Sequence, residues 1–158
     1  MPPIAPQNVG VDTLSRPYHS WYSPVVNVHN DAVQDLQEIR TKNPLAFGRI
    51  VALIQELTTD PRLVDKLLDH NFGADGRGTV SVMKWIKAWR ANVPVRRLKF
   101  WDLEKTGLKY RLLYIYNWPD KSYNIMAIVA RDEFDYDDPS HPIRLRVFNQ
   151  CRKEFPNA

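Results

Sequence analysis

Cysteine is nearly missing from this chain. Cys151 stands alone among 158 residues, which excludes an internal disulfide and any zinc site built on cysteine pairs. The four histidines, His19, His29, His70 and His141, show no ligand spacing, so neither a metal nor a cofactor is expected. Nowhere does the sequence hold the roughly 20 consecutive apolar residues that span a bilayer, and it does not open on a charged start followed by an apolar run. A soluble, cytoplasmic protein with no membrane partner is the expectation. Glycine is scarce, and where it clusters, in the GADGRG of residues 73–78, no Gly-Lys-Ser/Thr follows and the preceding segment reads as helix, which argues against a phosphate loop. Charge of one sign does not dominate: Lys plus Arg outnumber Asp plus Glu by 22 to 18, a balance compatible with nucleic-acid binding but not demanding it.

What is present suffices for one domain, with 44 % hydrophobic and 25 % charged residues. Pro2, Pro3, Pro6 and Pro17 mark residues 1–18 as an extended or mobile arm, and 19–158 as the domain proper. A first strand is expected over Trp21 to Val28, then a helix capped by Asn30 or Asp31 and running to about Arg40. Pro44 opens the next helix, with Phe47, Ile50, Val51, Ile54 and Leu57 on one stripe. Asp60 and Pro61 restart a helix through Leu63, Val64, Leu67 and Leu68. An insertion around 69–90 reads as helical, because Val82, Trp85, Ile86 and Trp89 share a face. From Val95 the period becomes two, giving strands over about 95–103, 109–117 and 123–131 with turns at 104–108 and 118–121. A last helix places Val147, Phe148, Cys151 and Phe155 on one side. The sum is an α+β fold: an antiparallel meander with an N-terminal strand, helices packed on one face, and a C-terminal helix.

The meander carries the chemistry. In RRLKFWDLEKTGLKYRLLYIYN, residues 96–117, alternation sets Arg97, Lys99 and Trp101 on one face and Leu98 and Phe100 on the other. Arg111 sits among apolar residues, where a permanent charge needs a partner or open solvent. Arg131 ends the third strand and Tyr136 follows. Arg97, Lys99, Arg111 and Arg131 on one concave surface would concentrate positive charge where a phosphodiester can sit. Such a surface can cleave RNA without a metal, since the 2′-hydroxyl attacks the adjacent phosphorus and the protein need only move protons and neutralise charge. Plainer readings stand beside this one: a solvated strand face for Arg97 and Lys99, a structural ion pair for Arg111, and a packed loop aromatic for Tyr136. The acidic run DEFDYDD, residues 132–138, lacks calcium-loop spacing and reads as a solvated loop, or as a self-restraint pairing with the cations.

These residues resemble a family. The run VRRLKFWDLEKTGLKYRLLYIYN, followed by YNIMAIVARDEF and a later tyrosine, is similar to the meander of RelE/ParE-superfamily toxins, above all the RelE- and HigB-like ribosome-dependent mRNA interferases; Tyr110-Arg111-Leu112-Leu113-Tyr114 matches the family's second meander strand. The resemblance implies a toxin-like endoribonuclease that cuts mRNA on the ribosome and is silenced by a cognate antitoxin protein. It implies Arg97, Lys99, Arg111, Arg131 and Tyr136 as catalytic residues, with Arg96, Trp101 and His141 beside them as substrate-binding residues. The strand-one register can slip to Arg96 and Arg97. The alternative is a toxin of the same fold that poisons gyrase, or an inactive phage or plasmid relative that only binds.

Overall fold

The computed structural model describes residues 25–158. The arm expected over 1–18 and the expected start of the first strand lie outside the described residues. The described chain is an α+β fold built on one five-stranded sheet. Strand β1 (Val25–Val28) leads into helices α1 (Asn30–Lys42), α2 (Pro44–Thr59) and α3 (Pro61–Asp65). Strand β2 (Val80–Lys84) is followed by the short helix α4 (Ile86–Arg90), β3 (Arg96–Phe100) and the short helix α5 (Trp101–Lys105). Strands β4 (Tyr110–Asn117) and β5 (Ser122–Ala130) form a hairpin, and α6 (Pro142–Glu154) ends the fold.

Local chemistry sets the helix starts. Asn43 caps α2 by accepting from the Ala46 N–H, with Pro44 in the first turn, and Asp60 caps α3 by accepting from the Arg62 and Leu63 N–H groups. The cap of α1 is His29, whose Nδ1 accepts from the Asp31 N–H, one or two residues earlier than expected. Buried Ala46, Ile50, Ile54 and Leu57 form the α2 stripe that packs on the sheet.

The sheet runs β1-β5-β4-β3-β2 and is mixed. The meander is antiparallel as expected, but β1 pairs parallel to β5, Val25 opposite Ser122 through Val28 opposite Ile125. A helical crossover of α1 to α3 followed by strands makes this parallel closure possible. Helices also occupy both faces, not one. On the first face α1, α2 and α3 cover Val82, Leu98, Phe100, Leu112, Tyr114, Ile125 and Ile128. On the second, α6 brings Val147, Phe148 and Cys151 onto Leu113, Ile115, Met126, Ala127 and Val129. Burial between sheet and helix pushes the Cys151 thiol up to about 12, as suits a core cysteine.

The expected helix around 82–89 is a strand in its first half and a helix in its second. Val80 and Val82 point into the core while Ser81 and Met83 face the other way, and only Ile86–Arg90 is helical. Strand β3 likewise stops at Phe100, three residues short, where Trp101–Lys105 turns into a helical segment. The apolar run 125–129 does not alternate because both faces of β5 are covered, and the ladder also shifts register between Leu113 and Tyr114. Met126 and Ala127 consequently both join the second-face core, with Ile125 and Ile128 on the first.

Candidate nucleic-acid interface

The C-terminal helix covers only part of the second face. What it leaves open is a concavity of about 310 Å³ lined by Ser81, Met83, Arg97, Lys99, Glu104, Lys109, Arg111 and Arg131. Its floor follows from strand register. Ser81 pairs with Lys99, Lys99 with Arg111 and Arg111 with Val129, so one row across β2, β3, β4 and β5 carries two cations side by side. Like charges directly opposite on one sheet face repel at close range. The next row holds Met83, Arg97 and Leu113. Arg131 follows β5 and reaches the same rim, because its N–H donates to the Lys109 carbonyl at 2.8 Å.

One carboxylate enters this cluster. Glu104, carried by α5, accepts two hydrogen bonds from the Arg111 guanidinium, at 2.8 Å and 3.2 Å. Arg111 is only 5 % exposed, and a bidentate pair is how an arginine tolerates such a place. Arg97, Lys99, Lys109 and Arg131 have no carboxylate within ion-pair distance among the described residues. Burial and the adjacent Arg111 push the Lys99 ammonium below the ordinary lysine value; Glu104 pulls it back, while Arg97 and Arg131 lower it further. Its amine also lies 4.5 Å from the centre of the Trp101 ring.

Four of the expected catalytic residues therefore share one concavity: Arg97, Lys99, Arg111 and Arg131. Tyr136 lies beside it. The Arg97 guanidinium stacks over its ring at 4.7 Å, and Tyr136 packs edge-on against Trp85 and Phe134. Its hydroxyl is buried without a well-formed hydrogen bond among the described residues. Burial pushes the phenol up and Arg97 pulls it down.

The three expected substrate-binding residues are placed differently. Arg96 takes the opposite face, as the alternation requires; it is 8 % exposed and stacks 4.8 Å from the Trp89 ring. Pairing Arg96 with Arg97 in one site is thus ruled out by the pleat. Trp101 borders Lys99, but its indole N–H donates to the Gly73 carbonyl at 2.9 Å, tying the 73–78 loop down. His141 caps α6: its Nδ1 accepts from the Ile143 N–H and its Nε2 lies 3.1 Å from the Glu133 carbonyl. That is a structural histidine packed against Phe134.

Lys109, Glu104, Ser81 and Met83 also line the concavity, though no local pattern marks them: Lys109 is a cation flanking the second meander strand, and Glu104 stands where a turn is expected.

The acidic run does not enter the concavity. Asp137 pairs with Lys87 at 3.1 Å, Asp135 accepts from the Asp137 N–H, and Asp138 accepts from the Ser140 N–H and hydroxyl. Glu133 faces a separate groove with Asp35 and Glu38. The self-restraint reading, in which these acids neutralise the cations, is not the arrangement seen. No grouping of His, Cys, Asp and Glu suited to a metal occurs among the described residues, and none of their helices is long and apolar enough to cross a membrane. Compared with protein-family models, curated proteins and solved structures, the chain finds no match in any of the three.

Proposed function

We propose that this chain is a RelE-like toxin, an endoribonuclease that cleaves mRNA on the ribosome by metal-independent 2′-hydroxyl attack and is restrained by a cognate antitoxin protein. The observation that carries the reading is the open, cation-lined half of the sheet, where Arg97, Lys99, Lys109, Arg111 and Arg131 surround a single carboxylate. Cations crowded on one surface destabilise a fold, so their accumulation fits a polyanion better than it fits structure.

In the proposed reaction the O2′–P bond forms as the P–O5′ bond breaks. Two groups in the concavity can take the 2′-hydroxyl proton, the Lys99 amine and the Glu104 carboxylate. Both Glu104 oxygens are already engaged by Arg111, which leaves Lys99, the group whose lowered pKa favours the neutral base. Arg97 and Arg131 offset charge gathering on the phosphoryl oxygens. The Lys109 ammonium supplies a proton to the leaving 5′-oxygen. Arg111, buried and bound by Glu104, acts as a positioning residue that holds Glu104 away from the phosphate. A polar aromatic shelf, Tyr136 under Arg97, suits stacking of a flanking base.

That same Arg111 pairing is the observation favouring the second reading, a non-cleaving toxin or binding protein of this fold, since the arginine expected to grip phosphate already has an anion. Brief expression of wild type, Lys99→Met and Arg131→Gln chains, followed by mapping of cellular mRNA 5′ ends, separates the two. Codon-phased cuts with wild type alone support the nuclease; DNA breaks, or no change with any chain, favour the alternative.

A further inference from the structure

The cationic surface does not end at the concavity. A second hollow, of about 370 Å³, adjoins it and shares Met83 and Arg97 with it. Lys87 and Arg90 of α4 stand on its far side, and Lys84 and Tyr136 border it. Arg97, held over the Tyr136 ring at 4.7 Å, is the divide between the two basins.

The second basin is made for a weakly held polyanion rather than for stability. Trp85 and Tyr136 line the hollow, with the Arg97 guanidinium 4.7 Å from the Tyr136 ring centre, so a cation and an aromatic are stacked at its edge. Arg90 is exposed and has no carboxylate within ion-pair distance among the described residues. Lys87 has Asp137 at 3.1 Å, but both side chains are largely exposed, and such a pair contributes little and can exchange Asp137 for a phosphate at small cost. Ile86, 45 % exposed, offers an apolar contact between these cations. Cations interleaved with aromatic and apolar faces suit single-stranded nucleic acid, whose bases need a flat surface and whose backbone needs charge.

We infer that the two basins form one track for single-stranded RNA, in which the first holds the scissile phosphodiester and α4, through Lys87 and Arg90, holds the backbone of the adjoining nucleotides. This rests on the nuclease reading above and adds an extended strand-binding subsite to it. Arg97 would then contact the phosphate at the junction.

Affinity for RNA should therefore depend on length. The test uses the full chain with two non-cleavable probes carrying a 2′-O-methyl group at every ribose, a dinucleotide and an octanucleotide of the same composition, titrated by fluorescence anisotropy over a range of salt. Wild type is expected to bind the octanucleotide more tightly and with the steeper salt dependence. In Lys87→Gln/Arg90→Gln two phosphate contacts are lost, worth roughly 0.7 each in the log–log salt slope; octanucleotide affinity should then fall about 25-fold at roughly 0.1 M salt. Dinucleotide affinity should stay unchanged. Lys99→Met/Arg131→Gln should weaken both probes. If Lys87→Gln/Arg90→Gln leaves octanucleotide binding intact while Lys99→Met/Arg131→Gln abolishes it, the track is overturned and the nuclease reading survives. If wild type binds neither probe and cuts no mRNA, both fall. Far-ultraviolet circular dichroism and thermal melting should match wild type for the α4 variant, because both replaced side chains are exposed.

Discussion

Removing the carboxylate of Glu104 should cost this protein more stability than an average substitution, and should leave behind a site that an anion can fill. Glu104 engages Arg111 through both oxygens, at 2.8 Å and 3.2 Å. Apart from Glu104, Arg111 donates to the Tyr110 carbonyl at 3.1 Å, and at 5 % exposure it can recruit little water. Stripping one partner from a buried ion pair typically costs 3–5 kcal/mol. Truncating Glu104 itself opens space beside the guanidinium that water can enter from the concavity, so the low end applies, about 3 kcal/mol for Glu104→Ala. For a domain of this size roughly 2–4 °C of Tm accompanies each kcal/mol, which predicts a fall of about 6–12 °C. Replacing both partners, Glu104→Ala with Arg111→Met, should recover most of the loss, because no unpaired charge is left. Inorganic phosphate should raise the Tm of Glu104→Ala more than that of wild type, since the variant adds the unpaired Arg111 guanidinium to the cations already open in the concavity. Thermal and urea unfolding of the four proteins, closed into a double-mutant cycle, checks this. A Glu104→Ala chain within about 0.5 kcal/mol of wild type would refute the claim that the pair bears the cost of burying Arg111.

Lys99→Met should abolish cleavage and raise Tm, the pattern of a site held at the expense of stability. The sign with pH follows from the lowered Lys99 pKa: between its folded and unfolded values the unfolded chain binds more protons, so this residue's contribution to stability rises with pH there. Melting from neutral pH upward should thus narrow the gap between wild type and Lys99→Met. Tyr114→Phe removes a buried 2.6 Å hydrogen bond to the Leu67 carbonyl and should cost about 1–2 kcal/mol by urea unfolding. Gly73→Ala should cost more than about 1 kcal/mol, because a Cβ there would stand 1.8 Å from the Val80 carbonyl oxygen at a φ of +71°.

Much of the fold was legible because its signals are local. The 3.6-residue stripe and Pro44 start of α2, and the period change to two after Val95, follow from spacing alone. What was misread shares one cause, that short segments satisfy two periods at once. Val80 to Trp89 carries apolar residues at helical spacing, yet Val80 and Val82 also alternate, and pairing with β3 decided for strand over the first half. Trp101-Asp102-Leu103 still alternates in sequence, though out of phase with Leu98 and Phe100, while in space Leu103 is buried from a helical turn that swings Glu104 over the sheet. The parallel pairing of β1 is a long-range contact that no local pattern encodes.

The site was legible in its cations and not in its anion. Alternation alone placed Arg97 with Lys99 and sent Arg96 to the far side, and antiparallel pairing then put Lys99 opposite Arg111. Nothing in the order of residues says that Glu104 folds back onto Arg111, because that contact depends on where β3 ends. The acidic residues after Arg131 do not pair with the cations of the concavity: Asp135 and Asp138 serve as turn acceptors and Asp137 faces Lys87. Their backbone roles are set by the bends, not by the count of charges.

A nuclease of this kind must take a phosphodiester into the open half of the sheet. A crystal structure of the protein with a dinucleotide blocked by 2′-O-methylation should show the phosphate against Lys99, Arg97 and Arg131, with Glu104 still on Arg111. Density for the dinucleotide on another surface, with the concavity unchanged, would contradict it.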